Sequence, residues 1–345
     1  KKLNKKRIIL PEENIFEASL ISGIEIIGVK TLVQLIGYLR NEATITPHLG
    51  GAHILPIHMH KNTLDFSQVK GQHQAKRALQ IAAAGRHNIL FIGSPGSGKT
   101  MLAKRLPTIM PPMSFDEVLE TSKIYSINGK LTNNALITSR PFRSPHHTIS
   151  QAGLVGGGSF PQPGEISLTH NGILFLDELT EFKRSTLEVL RQPMENKTVC
   201  ISRANHALSF PASFLLIAAL NPCPCGYFGD KKKECSCNPH SIKRYLEKLS
   251  GPLMDRIDLQ IAIRSVEYNE LNTQHAAKSS ADLFVPIECA VTMQLKRFER
   301  PMFNADMSSD LVEKHCVLTP DAQEALKKAF DKLHLSMRGY HKILK

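Results

Sequence analysis

Eight residues constrain this chain more than any others. Gly93-Ser94-Pro95-Gly96-Ser97-Gly98-Lys99-Thr100 fits the pattern G-x-x-x-x-G-K-[ST]. The apolar run 88–92 before it reads as a buried strand, and 101–106 after it reads as a helix stopped by Pro107. Strand, glycine loop and helix form the context in which this pattern binds phosphate. Glycines let backbone N–H groups curl around phosphate oxygens, and the helix start adds partial positive charge. Lys99 is expected to reach the β- and γ-phosphates and Thr100 to offer its hydroxyl to Mg²⁺, with Gly93 to Met101 as the nucleotide-binding set. The plainer reading, a Gly/Ser turn before a helix, is disfavoured by the full motif and its flanks.

Two further apolar runs end in polar side chains. Ile173-Leu174-Phe175-Leu176 leads into Asp177-Glu178, and 214–219 leads to Asn221. Strands without alternation are buried on both faces, as in a parallel sheet. Asp177 is expected in the Mg²⁺ shell, and Glu178 is expected to polarise the attacking water. Asn221 would sit between the other strand ends, beside the γ-phosphate; a simple Asn-Pro strand-end turn is the alternative. Arg256, just before the strand expected at 259–263, is placed to reach the nucleotide of a neighbouring subunit.

Two insertions lie between these strands. Residues 153–165 are rich in Gly and Pro and read as a mobile loop. Residues 198–203 and 208–211 read as a hairpin with Arg203 near its tip, suited to phosphate contact or simply solvated. Cys223-Pro224-Cys225 and Cys235-Ser236-Cys237 form two C-x-C pairs, and four thiolates suit a structural, tetrahedral Zn²⁺. Lys231-Lys232-Lys233 between the pairs would present charge to a polyanion. Cys200, Cys289 and Cys316 are isolated and read as packing residues.

The termini read differently. Arg7–Leu10 suggests a strand, 11–14 a turn, 15–20 a short helix and 29–38 a second helix, too small a core to stand alone. His48, His53, His58 and His60 lie among Gly and Pro without regular ligand spacing, so a linker is favoured over a metal site. Residues 72–84 read as a helix with Gly85 as its cap. Residues 265–345 are helical in pattern, with starts at Thr319-Pro320 and Ser336-Met337.

The chain has 345 residues and a net charge of +12, which favours a polyanionic partner, nucleic acid first. No apolar run reaches the length of a membrane span. Seven cysteines beside a nucleotide loop suggest a reducing cytoplasm and a metal site rather than disulfides. The start at Lys1 and the end inside a helix suggest trimmed termini.

The phosphate loop, ILFLDE at 173–178, NPCPCG at 221–226, SGPLMDRIDL at 250–259 and LSMRG at 335–339 resemble the AAA+ ATPases. RPFRSPHHT at 140–148, 153–172 and LRQPME at 190–195 narrow the resemblance to the magnesium-chelatase-like branch called the ComM/YifB family. It implies an α/β fold: an AAA+ P-loop parallel-sheet ATPase core, a helical lid and the remnant of an N-terminal Lon-like α+β domain. The implied boundaries are 1–47 for the Lon-like remnant, 48–65 for a linker, 66–264 for the core and 265–345 for an incomplete lid. Within the core fall a helix-2 insert (153–165), a pre-sensor-1 hairpin (198–212) and the four-cysteine knuckle (223–237). The resemblance makes Lys99 and Thr100 Walker A, Asp177 and Glu178 Walker B, Asn221 sensor 1, Arg256 a trans arginine finger and Arg338 the sensor 2 arginine. Insert and hairpin, with Phe160 and Arg203, would face a DNA channel. It implies ATP and Mg²⁺ as cofactors and a homo-hexameric helicase that drives branch migration on single-stranded and branched DNA during natural transformation. No Ser/Lys dyad supports protease activity. The alternatives are a magnesium- or cobalt-chelatase motor and a nucleotide-controlled assembly switch. The role of 140–148 has no physical explanation at this level.

Overall fold

The computed structural model describes residues 5–19, 21–49, 64–131, 136–158, 161–203, 206–230, 232–265, 278–333 and 335–345. The chain divides into two compact units, 1–60 with 131–138, and 61–130 with 139–345.

In the first unit, β1 (Arg7–Pro11) pairs in parallel with β2 (Glu25–Val29), and β2 pairs antiparallel with β3 (His48–Leu49). Ile26 and Ile27 are fully buried there. The helix expected from residue 29 begins only at Leu32, capped by the Thr31 hydroxyl, because 25–29 are taken by β2. His48 therefore belongs to a strand and not to the expected linker, whose residues 50–63, including His53, His58 and His60, lie outside the described residues.

The main sheet of the second unit is built from β4 (Ile89–Gly93), β5 (Phe142–Arg143), β8 (Ile173–Leu176), β11 (Leu215–Leu220) and β12 (Leu259–Ile263). These five described strands run parallel in the order β12-β4-β11-β8-β5. The apolar runs make β8 and β11 buried at every position, as a sheet covered on both faces requires. One core layer packs Leu79, Ile89, Phe91, Leu102 and Phe175; the other packs Leu90, Leu174, Leu176, Leu187 and Leu216. The helix His73–Gly85 runs one residue past its expected end, so the cap falls on Arg86, in the left-handed conformation (φ 57°), and not on Gly85. Gly85 supplies room instead, since a Cβ there would come 2.4 Å from the His87 ring.

The 153–165 insertion is more regular than expected. Gln151–Val155 is a short helix, and β6 (Gly156–Gly157) pairs antiparallel with β7 (Gln162–Pro163). The second insertion is the expected hairpin, with β9 (Thr198–Arg203) against β10 (His206–Pro211). Beyond β12 the described chain is helical: Ser280–Phe298, Ser309–His315, Pro320–Leu333 and Met337–Leu344. The first of these packs onto the core, with Gln294 Nε2 donating to the Ala84 carbonyl at 2.9 Å. Cys200 and Cys289 are exposed and Cys316 is half-buried, so the packing role expected for the first two fails.

Candidate nucleotide site and cysteine cluster

Because β4, β8 and β11 are parallel neighbours, the segments that follow them emerge at one edge. Ligands of open parallel sheets bind at that edge. Gly96 (φ 75°) and Gly98 (φ 93°) hold left-handed conformations that L side chains rarely adopt, and they shape the loop. Lys99 is buried, and its Nζ donates to the carbonyls of Gly93 (2.6 Å) and Ser94 (3.0 Å) and to Asn221 Oδ1 (3.1 Å). Burial pushes its pKa down, opposed by the charges of Asp177 and Glu178. Thr100 Oγ1 donates to Asp177 Oδ2 at 2.6 Å, so the two expected Mg²⁺ ligands already touch. The Ser97 hydroxyl is buried without a hydrogen-bond partner. An orphaned donor, an open glycine cradle and a buried lysine fit a triphosphate, and the Thr100–Asp177 pair fits the magnesium that would neutralise it.

Glu178 stands at φ 50°, ψ 49°, an uncommon backbone conformation for a side-chain-bearing residue. Its carboxylate is half-exposed and lies 3.5 Å from His147 Nδ1. His147 belongs to the 140–148 segment, for which the sequence offers no role. The structure gives that segment three jobs. Arg140 is buried, donating to the Pro111 and Asn171 carbonyls and to Glu117. Phe142–Arg143 forms the β5 edge strand, and Arg143 grips Glu165 with two bonds of 2.6 and 2.7 Å. Beyond the strand, His147 reaches Glu178, its ring against His146 (4.1 Å between centroids) and edge-on to Phe182. A pair of histidines among arginines carries no pattern that points to a distant glutamate.

Arg256 and Arg338 are brought together, but not beside Lys99. Arg256 precedes β12, and its carbonyl accepts from Asn88 Nδ2 at 2.9 Å. Asn88 immediately precedes β4, while the phosphate loop follows its end; five strand residues separate the two ends by about 16 Å. At that far end one carboxylate, Glu195, holds both arginines: Arg256 Nη2 at 2.6 Å, and Arg338 Nη2. The hydrogen bond from Arg256 leads the effects that hold the Glu195 carboxyl below its usual range. The Arg256 Nε is buried with no partner. The three residues line a cleft of about 780 Å³ with Asp258, Lys342 and Lys345. Both arginines stand out in the sequence; Glu195 does not.

Cys223, Cys225, Cys235 and Cys237 converge, with all four sulfurs within 4.8 Å of one another. Sγ separations of 3.3, 3.7 and 3.6 Å link Cys223, Cys225 and Cys235. A tetrahedral centre with 2.3 Å metal–sulfur bonds would have edges of about 3.8 Å. The Phe228 N–H reaches Cys223 Sγ and the Cys225 N–H reaches Cys237 Sγ, bonds that temper thiolate charge. A backbone hydrogen bond from Tyr227 leads the effects that lower the Cys225 thiol, while burial and the neighbouring sulfurs raise Cys235 and Cys237 against their own backbone hydrogen bonds. The donor set fits a metal ion.

The expected DNA contacts fare unevenly. Phe160 and Lys231 lie outside the described residues, as does the side chain of Arg203, whose backbone ends β9 opposite His206. Lys232 donates its N–H to Asp230, and Lys233 lies 4.1 Å over the Tyr227 ring.

Known families match most of the chain. The family described as "Magnesium chelatase, subunit ChlI" matches residues 65–271, and its C-terminal counterpart matches 277–345. The chain therefore belongs to the magnesium-chelatase ChlI family, a P-loop AAA+ ATPase family. Within it, the chain is 42% identical over 344 residues to the competence protein ComM of Haemophilus influenzae, covering 99% of this chain and 67% of that protein. It is 41% identical over 342 residues to YifB of Salmonella typhimurium, covering 99% and 66%. The chain thus spans about two thirds of the length of these relatives. A more distant likeness, 26% over 263 residues, covers 72% of this chain and 26% of the DNA replication licensing factor mcm6 of Schizosaccharomyces pombe. No described helix is long and apolar enough to cross a membrane.

Proposed function

We propose that this chain is the motor part of a cytoplasmic, hexameric, ATP-dependent DNA translocase that promotes branch migration in natural transformation. The observation that carries the proposal is the split of the catalytic set. Lys99, Thr100, Asp177, Glu178 and Asn221 stand at one end of the sheet, and Arg256 and Arg338 stand at the other. Two copies placed end to end would complete one site: Lys99 and the loop amides bind the phosphates, Asn221 and Glu178 orient and polarise water, and the neighbour's arginines meet developing charge. Bound magnesium, held by Thr100 and Asp177, would neutralise the phosphates. Zinc, held by the four thiolates, would brace the 223–237 knuckle. The basic charge, the two hairpin insertions and the name of the ComM relative favour DNA as the track. The domain boundaries implied by the resemblance belong to the same proposal.

The test is ATPase rate with and without single-stranded and forked DNA across a salt series. Strong, salt-sensitive stimulation is expected, since phosphate contacts weaken as salt rises. Branch migration is expected to be lost in Glu178→Gln; a variant that still moves branches would sink the assignment. The ChlI match favours one other reading, a chelatase motor. ATPase that answers to a tetrapyrrole and ignores DNA would favour it.

A further inference from the structure

The cysteine cluster does not stand apart from the nucleotide site. Three contacts tie the 221–230 stretch to the phosphate loop. Asn221, two residues before Cys223, accepts from Lys99 Nζ at 3.1 Å. Gly226, at φ 87°, lies flat against Pro95: a Cβ there would come within 2.6 and 2.8 Å of the proline ring. The Asp230 carboxylate accepts the Lys232 N–H at 2.8 Å, and hydrogen bonding from Lys232 first and Ser94 second holds it below its usual range.

The same turn is built from the cysteines. The Gly226 N–H donates to the Cys223 carbonyl at 3.0 Å, the Phe228 N–H to Cys223 Sγ, and the Asp230 N–H to the Tyr227 carbonyl. Cys223 is fully buried. Residues 226–230 lie between the two C-x-C pairs, so an ion joining the pairs closes the loop that carries Gly226 and Asp230. Closing a short loop removes the freedom that would otherwise let both residues leave Pro95 and Ser94.

We propose that the four-cysteine site is a positioning device for the phosphate loop. An ion held by Cys223, Cys225, Cys235 and Cys237 seats Gly226 on Pro95 and Asp230 on Ser94, and nucleotide affinity depends on its occupancy. The inference rests on the metal reading above and adds a consequence that a merely structural knuckle would not have. Gly226 and Asp230 are positioning residues, since they act on nucleotide through the loop.

The experiment uses the whole chain and reads binding, not turnover. Zinc content is measured by elemental analysis, and the dissociation constant of a fluorescent ATP analogue is measured before zinc is chelated, after it, and after zinc is restored. Circular dichroism checks that the stripped protein stays folded. The expected result is a weakening of about tenfold on stripping that zinc reverses, and about threefold in Asp230→Ala with zinc content unchanged, the low end of what one exposed hydrogen bond contributes net of water. Verified zinc loss in folded protein with unchanged affinity overturns the coupling. Unfolding on stripping with wild-type affinity in Asp230→Ala also overturns it. Protein that never holds zinc, even when zinc is added, overturns the metal reading instead, and Asp230→Ala then tells whether the contact alone matters.

Discussion

The two ends of the parallel sheet are both charged and solve opposite problems. At the phosphate-loop end a single lysine is buried, and its partners are carbonyls and one amide. Those dipoles satisfy the ammonium without neutralising it. At the far end two guanidinium groups converge on one half-exposed carboxylate. There the charge is paired but in surplus, since one negative group holds two positive ones. A lysine whose direct hydrogen-bond partners are all dipoles suits a fixed cradle for an anion. A pair of arginines sharing one carboxylate suits groups that can change partner, because a triphosphate exceeds Glu195 in charge and in acceptor oxygens.

The sharpest way to break this comparison is Arg256→Ala. If Arg256 serves a neighbour's nucleotide, ATPase is expected to fall about a thousandfold, the scale of a trans-supplied arginine. Mixing that variant with Lys99→Ala, itself inactive, should restore measurable turnover, because some interfaces regain an intact lysine facing an intact arginine. No recovery on mixing would mean that the two ends do not meet between copies. A smaller effect is expected at the cradle from His147→Ala. Losing a partly exposed polar contact is worth at most about 1 kcal/mol, so kcat should fall about fivefold with nucleotide affinity unchanged. A drop in affinity alone would place His147 in binding and not in the positioning of Glu178.

The smallest effect belongs to Glu195→Gln. Glu195 is half-exposed, so unfolding free energy should change by less than about 1 kcal/mol in thermal melts. Turnover should change more than stability does. The pH dependence has a fixed sign. The carboxyl is depressed below its ordinary 4.5, chiefly by the Arg256 hydrogen bond. Its stabilising contribution is therefore present above 4.5 and is lost as pH falls through the lower folded value. In Glu195→Gln that acid-side loss should vanish from melts run between about pH 6 and the acid limit of folding. Melts that stay parallel to wild type would mean that the tie carries no stability.

Much of the cradle was legible because its signals are local. The loop glycines, Lys99 and Thr100 sit within one short motif, and unbroken apolar runs announce strands whose ends must carry Asp177 and Asn221. The hairpin was legible from alternation on both arms. The Gly-rich insertion is more ordered than its composition suggests, because a two-residue pairing of Gly156–Gly157 with Gln162–Pro163 is too short to leave a periodic trace. The strand at 25–29 escapes the sequence for the same reason: short apolar runs do not distinguish a strand from a helix.

The sequence by itself marked which groups are candidates for chemistry: a lysine and threonine behind glycines, acids and an amide at strand ends, four thiols in two pairs and two arginines. Residue identity and short spacing suffice for that, because backbone geometry over a few residues is nearly independent of the rest. Only the tertiary structure decided who meets whom. Arg338 and Glu195 are 143 residues apart in the chain, and Asn221 and Lys99 are 122 apart. No pattern shorter than a whole fold records that His147 faces Glu178, that Asp230 holds Ser94, or that both arginines share one carboxylate. Those pairings follow from the order of strands in the sheet and from the helices packed across it, and they are fixed by burial of side chains far from the groups they bring together.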